Sequence, residues 1–210
     1  ARAFAKSCNA SFANIGVKLD KGEFQDTLDD LLFNQELPLE LSYNKSRIEV
    51  YDDSPNKDMM QIAIGQGTTG MTPVHLNMIT NAIANDGVLM KPYVIDFVEN
   101  SMGSVVKQFS PSSEKRLISS EEAAALKELM RGVVEEGTAS RLKGLSYTAA
   151  GKTGSAEYNT VKGDSHAWFT GFAPVDDPKI SVTIIIEGAG SGGDFAVPIA
   201  KRIFDAYFQE

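Results

Sequence analysis

Apolar positions recur at helical spacing from the first residues of the chain onward. Phe12, Ile15 and Leu19 form one stripe, and Phe24, Leu28, Leu31 and Leu32 form a second, so two amphipathic helices are predicted near the N-terminus. Ala1-Arg2-Ala3-Phe4-Ala5 has no methionine, cap or leader-like pattern and reads as the middle of a helix, as in a piece taken from a longer protein. From Asn34 to Asp58 the chain is polar and poorly periodic, which predicts a loop with one short strand at Ile48-Glu49-Val50-Tyr51. Gly65-Gln66-Gly67-Thr68-Thr69-Gly70 is turn-rich. Thr72-Pro73 then offers a cap and a first-turn proline for a helix through Asn85, closed by Gly87. Residues Tyr93 to Val98 and Ser104 to Phe109 alternate as a hairpin about Ser101-Met102-Gly103. Ser120 is placed to cap a helix from Glu121 to about Glu136, with Leu126, Leu129, Met130 and Val133 on its buried face.

Three strands are predicted next, at Ser146 to Tyr158, His166 to Phe172 and Ile180 to Glu187, with connections too short for parallel crossovers. A helix from Ala196 to Phe208 would cover one face of them. The result is a mixed α/β fold, an antiparallel sheet with flanking helices, in one domain spanning residues 1–210. A formal charge of -8 argues against nucleic acid as a partner, since no basic stripe is present to meet phosphates. Cys8 is the only cysteine, so neither an internal disulfide nor a Cys-rich zinc site is available. His75 and His166 lack metal-ligand spacing, and no metal or cofactor is expected.

The segment richest in chemistry is Ala150-Gly151-Lys152-Thr153-Gly154-Ser155-Ala156-Glu157, where a lysine and two hydroxyls lie among very small residues. Small residues let another backbone approach, and a cation with a hydroxyl suits a carboxylate. A plain edge strand with a solvated lysine fits the same letters. Ser7-Cys8-Asn9 ahead of a helix is open to two readings as well, a polar cleft motif or an ordinary N-cap. Gly188-Ala189-Gly190-Ser191-Gly192-Gly193 fits a dinucleotide fingerprint, but the seventeen residues after it leave no room for a second strand and its acidic ribose ligand. Those glycines are expected to form a flexible turn beside the Lys152 strand.

Taken in order, Ser7-Cys8-Asn9, Gly65-Gln66-Gly67, Thr72-Pro73, Ala84-Asn85-Asp86-Gly87, Gly137-Thr138, Ala150 to Ser155 and Trp168-Phe169-Thr170-Gly171-Phe172-Ala173-Pro174 resemble the penicillin-binding protein transpeptidases, the monofunctional class B members above all. The resemblance covers essentially the whole chain and implies the β-lactamase/transpeptidase fold. It also implies a parent enzyme on the extracytoplasmic face of the bacterial membrane, cross-linking peptidoglycan by serine acyl transfer without a cofactor. A serine β-lactamase, a D,D-carboxypeptidase or a β-lactam sensor domain on the same fold is the alternative.

The family uses three motifs, Ser-x-x-Lys, Ser-x-Asn and Lys-Thr-Gly, and the first should lie some tens of residues before the second. Only six residues precede Ser7. The Ser-x-x-Lys spacing recurs at Ser42-Lys45, Ser54-Lys57, Ser104-Lys107, Ser112-Lys115 and Ser140-Lys143, all downstream and in polar loops, a hairpin or a helix end, so these are taken as decoys. The chain is then expected to be the C-terminal part of the domain, inactive alone and partnered by its N-terminal half. By the resemblance, Ser7 relays a proton and Asn9 binds a substrate amide. Lys152 and Thr153 hold the terminal carboxylate of a D-alanyl-D-alanine stem peptide or of a β-lactam, and Gly154 lies in the same substrate-binding triplet. The Ser155 N–H is one of two oxyanion donors.

Overall fold

The structure is a computed structural model that describes residues 1–159 and 164–209. Four helices open the chain: α1 (Arg2–Ala5), α2 (Asn9–Gly16), α3 (Lys21–Asp30) and α4 (Asn56–Ile62). The expected helices are present, and α4 is an addition that begins in the last residues of the segment read as loop. Its Met59 and Ile62 are buried with Leu28, Phe33, Ile48 and Val50, a core too short in sequence to show a period. The strand expected at Ile48 to Tyr51 is not formed. One bridge, Arg47 to Gly70, stands in its place, and Ile48 is tied instead to the side-chain amide of Asn34, whose Nδ2 donates to the Ile48 carbonyl and whose Oδ1 accepts its N–H.

Helix α5 (Pro73–Ala84) starts at its proline as predicted, but Thr72 does not cap it through its side chain. The Thr72 N–H donates to Ser46 Oγ at 3.0 Å, so the hydroxyl of a distant loop fixes this entry. Gly87 closes the helix, its N–H reaching the Ala82 carbonyl at 2.8 Å. Two small antiparallel pairs follow. Strands β2 (Phe97–Glu99) and β3 (Val105–Gln108) are the expected hairpin, while β1 (Val88–Met90) and β4 (Ser113–Arg116) pair across it and were not foreseen, being only three and four residues long. Helix α6 (Ser120–Glu135) is capped by Ser119, one residue earlier than predicted. Ser119 Oγ accepts the Glu122 N–H, and Glu122 reaches back to the Ser119 N–H.

The main sheet is β5 (Ala150–Glu157), β6 (Ser165–Ala173) and β7 (Ile180–Ile186), antiparallel in that order. The first strand starts at Ala150 rather than Ser146. Strand β6 is central and buried along most of its length because helices cover both faces. Ala167, Phe169 and Ala173 pack with α7 (Val197–Phe208) through Val197, Ala200 and Phe204. Phe172 turns to the other face, against Ile83 of α5 and Met130 of α6. There Thr170 Oγ1 hydrogen-bonds Thr80 Oγ1 at 2.6 Å, and with the Leu76 carbonyl and Thr183 Oγ1 close by, these hydroxyls buried under α5 are satisfied. Strand β5 lies at an edge, which leaves one side of its backbone open toward Ser7 and the cleft.

Candidate active site

Alternation along β5 divides the Lys152 segment between two faces. Ala150, Lys152 and Gly154 register with Phe172, Thr170 and Trp168 on the α5 and α6 side, whereas Thr153 and Ser155 register with Phe169 and Ala167 on the α7 side. Each group therefore meets a different wall.

On the first side stands Ser7. It joins α1 to α2 with φ 51°, a left-handed conformation that a non-glycine residue adopts at a cost of about 1 to 3 kcal/mol. Helix α2 begins at Asn9 with Cys8 in the cap position and no side-chain cap, so neither Ser7 nor Asn9 is an N-cap. The turn instead aims Ser7 Oγ at Lys152, whose Nζ donates to it and to the Thr153 carbonyl at 2.7 Å. The Phe4 ring lies 5.7 Å from the same ammonium. Lys152 is thus half-buried and engaged, not a solvated edge lysine, and burial brings its ammonium from 10.5 down to about 8. Among the described residues no carboxylate is hydrogen-bonded to it.

On the second side Thr153 Oγ1 forms a short hydrogen bond with Thr138 Oγ1, just after α6. Ser155 Oγ accepts the Gly192 N–H at 3.3 Å. Gly192 opens a π-helical turn, Gly192–Ala196, that leads into α7. A Cβ at Gly192 would sit 2.2 Å from the Trp168 carbonyl oxygen and 2.4 Å from that of Gly154, so only glycine fits. The glycine-rich stretch does lie beside the Lys152 strand. At Gly192 it is wedged against backbone, which corrects the expectation of a merely flexible turn.

These pieces enclose a cleft of about 520 Å³, lined among others by Ser7, Asn9, Thr138, Lys152, Gly154 and Ser155, with Ile64 and Gln66 of the Gly65-Gln66-Gly67 turn. All six site residues expected from the sequence are brought together here. Arg141 and Asp194 also line the cleft without having been foreseen as site residues, and no local pattern marked them because their contact spans more than fifty positions. Of the five Ser-x-x-Lys pairs, Ser140-Lys143 alone reaches the cleft, and Lys143 turns away to the Glu135 carbonyl and carboxylate. Ser54 bonds the Tyr51 N–H, and Lys45 and Lys115 pair with Glu36 and Asp30. Among the described residues no group of three or more His, Cys, Asp or Glu is placed to hold a metal ion.

An antiparallel sheet between helices, with a half-buried lysine facing a serine across an open strand edge, defines the class of fold. The chain belongs to the penicillin-binding protein transpeptidases: the family's transpeptidase domain matches residues 1–205. It is 30% identical over 216 residues to peptidoglycan D,D-transpeptidase PbpA of Mycolicibacterium smegmatis, covering 99% of this chain and 43% of that protein. To peptidoglycan D,D-transpeptidase MrdA of Haemophilus influenzae it is 30% identical over 172 residues, 73% of this chain and 26% of the relative. The imipenem acyl-enzyme structure of penicillin-binding protein A from Mycobacterium tuberculosis superposes with a TM-score of 0.86 at 27% identity, over 98% of this chain and 46% of that one. The chain thus spans less than half the length of these relatives.

Proposed function

We propose that residues 1–210 are the C-terminal part of a single transpeptidase domain whose nucleophilic serine and its lysine lie upstream of residue 1. The parent enzyme, on the extracytoplasmic face of the bacterial membrane, cross-links peptidoglycan stem peptides ending in D-alanyl-D-alanine and is acylated by β-lactams. Among the described residues no helix is long and apolar enough to cross a membrane. The observation that carries this reading is the engagement of Lys152 by Ser7 across the open edge of β5.

In this mechanism the donor peptide lies extended along β5, and its terminal carboxylate meets Lys152 and Thr153. Asn9, at the cleft wall, takes a peptide amide. The upstream serine attacks the penultimate carbonyl, and the developing oxyanion is met by the Ser155 N–H and by the N–H of that serine. The carbonyl–nitrogen bond breaks and terminal D-alanine leaves as an amine, with Ser7 relaying the proton it gains. An amine of a second stem peptide then takes the acyl group and loses a proton, and the serine is regenerated.

The reading is tested with a fluorescent penicillin on denaturing gels. The parent enzyme should be labelled stoichiometrically, and Ser7→Ala should slow labelling roughly 10²- to 10⁴-fold, as for loss of a proton shuttle. This chain by itself should stay unlabelled. A stoichiometric band on it, abolished by substituting Ser42, Ser54, Ser104, Ser112 or Ser140, would move the nucleophile inside the chain and overturn the assignment.

A further inference from the structure

Resting on that reading of the cleft, we propose that Arg141 is a positioning residue for acyl transfer, locking the Gly192 to Asp194 segment against β5 so that Ser155 is held in place.

The segment is anchored at two ends. At one end the Gly190 N–H donates to the Ser165 carbonyl at 2.8 Å, and Ser165 Oγ returns a bond to the Gly190 carbonyl at 3.1 Å. Arg141 closes the other end with three hydrogen bonds. Nη1 donates to the Gly193 carbonyl at 2.8 Å and to the Asp194 carbonyl at 3.0 Å, and Nη2 donates to Asp194 Oδ1 at 3.0 Å. Between the anchors lies Gly192, whose N–H meets Ser155 Oγ and whose Cα leaves no space against Gly154 and Trp168. Gly193 is equally confined, since a Cβ there would lie 2.7 Å from the Thr138 carbonyl oxygen.

The arginine is itself fixed at its base. It sits in a short 3₁₀ turn, Ser140–Leu142, which is held in the core shared with α7 by its own Leu142 and the preceding Ala139, both buried. Thr138, three residues earlier, is bonded to Thr153. Arg141 therefore ties together the two segments that touch Thr153 and Ser155 from outside the sheet. The ion pair with Asp194 is half-exposed on both sides, so its charge alone contributes little. What Lys could not reproduce is the planar fork that bridges two carbonyls and a carboxylate at once.

With this tie cut, the segment keeps its holds at Gly190 and at the buried Ala196 but loses the bonds at Gly193 and Asp194 that press its middle against β5. Ser155 then loses its fixed neighbour, and a displacement on the order of 1 Å near reacting atoms is enough to slow chemistry 10²-fold. The experiment measures fluorescent-penicillin acylation of the parent enzyme as a function of drug concentration, with thermal unfolding alongside. Arg141→Lys and Arg141→Met should each lower the rate at saturating drug by about tenfold or more, leaving the half-saturating concentration unchanged. Asp194→Asn, which keeps both carbonyl bonds, should lower it less, and Lys143→Met, a partner of Glu135 outside the cleft, should not lower it.

Full rate in Arg141→Lys would mean that charge alone matters and would overturn the proposal. So would unchanged rates in both Arg141 variants, a raised half-saturating concentration at unchanged maximal rate, or a rate loss seen only where unfolding has begun. A wild-type parent that is not acylated would defeat the transpeptidase reading itself. A labelled wild type with fully active variants would defeat only the role of Arg141.

Discussion

Lys152→Met should make the folded enzyme more stable while disabling it. The fall of the Lys152 ammonium from 10.5 to about 8 on burial is worth roughly 3 kcal/mol against the charged form at neutral pH. Methionine fills a similar volume without that charge. Part of the gain is offset, because Ser7 Oγ and the Thr153 carbonyl lose a donor, at about 1 kcal/mol in all where cleft water replaces it. A net gain of about 1 to 2 kcal/mol is expected at pH 7. The sign with pH is fixed by linkage. The folded state releases its proton near pH 8 and the unfolded state near 10.5, so wild-type stability rises across that window and the advantage of the variant shrinks. Urea denaturation of the parent enzyme at pH 7 and pH 9.5 measures both effects, with penicillin acylation on the same samples. Acylation should weaken by about 2 to 5 kcal/mol through loss of the cation that meets the carboxylate. A variant less stable than wild type at pH 7, or an advantage that does not change with pH, would refute the claim that Lys152 is held against its own desolvation.

Gly192→Ala should destabilise the enzyme by about 1 to 3 kcal/mol and slow acylation, because the new methyl would meet two backbone oxygens that cannot yield independently; denaturation and labelling read the two effects. His75 is buried, with Nε2 at 2.8 Å from the Leu31 carbonyl and Nδ1 without a hydrogen-bond partner among the described residues, and burial holds its imidazole below the ordinary range despite that carbonyl. Its contribution to stability is present above about pH 6.5 and should be lost as pH falls through and below that value, so His75→Gln should flatten the acid limb of a stability–pH profile.

What was legible in the sequence was whatever depends on neighbours a few positions away. Stripes such as Phe24, Leu28 and Leu31 predict α3, and short connections predict an antiparallel β5, β6 and β7. The small residues around Lys152 mark a strand open to a ligand. Helix α4 escaped because its seven residues bury only Met59 and Ile62, too few for a period. Strands β1 and β4 escaped because each needs the other, across more than twenty intervening residues. Thr72 holds the cap position as read, but its side-chain bond goes elsewhere because the competing donor and acceptor, Ser46, is remote in sequence. The Arg141 to Asp194 tie escaped for the same reason. Its letters are ordinary surface charges, and only the fold makes them a clasp.

The division of β5 between two faces bears on how such a site can evolve. Substitution at the Ser7 turn leaves the opposite wall standing, whereas the loop after α6 and the segment before α7 are coupled through Arg141 and vary together. Length is another matter. One residue inserted into β5 upstream of Lys152 would hand the lysine to the α7 side and Thr153 to Ser7, exchanging every partner in a single event. Lineages escaping an inhibitor are therefore free to reshape the walls around this strand by exchange of side chains, and are barred from doing so by gain or loss of residues within it.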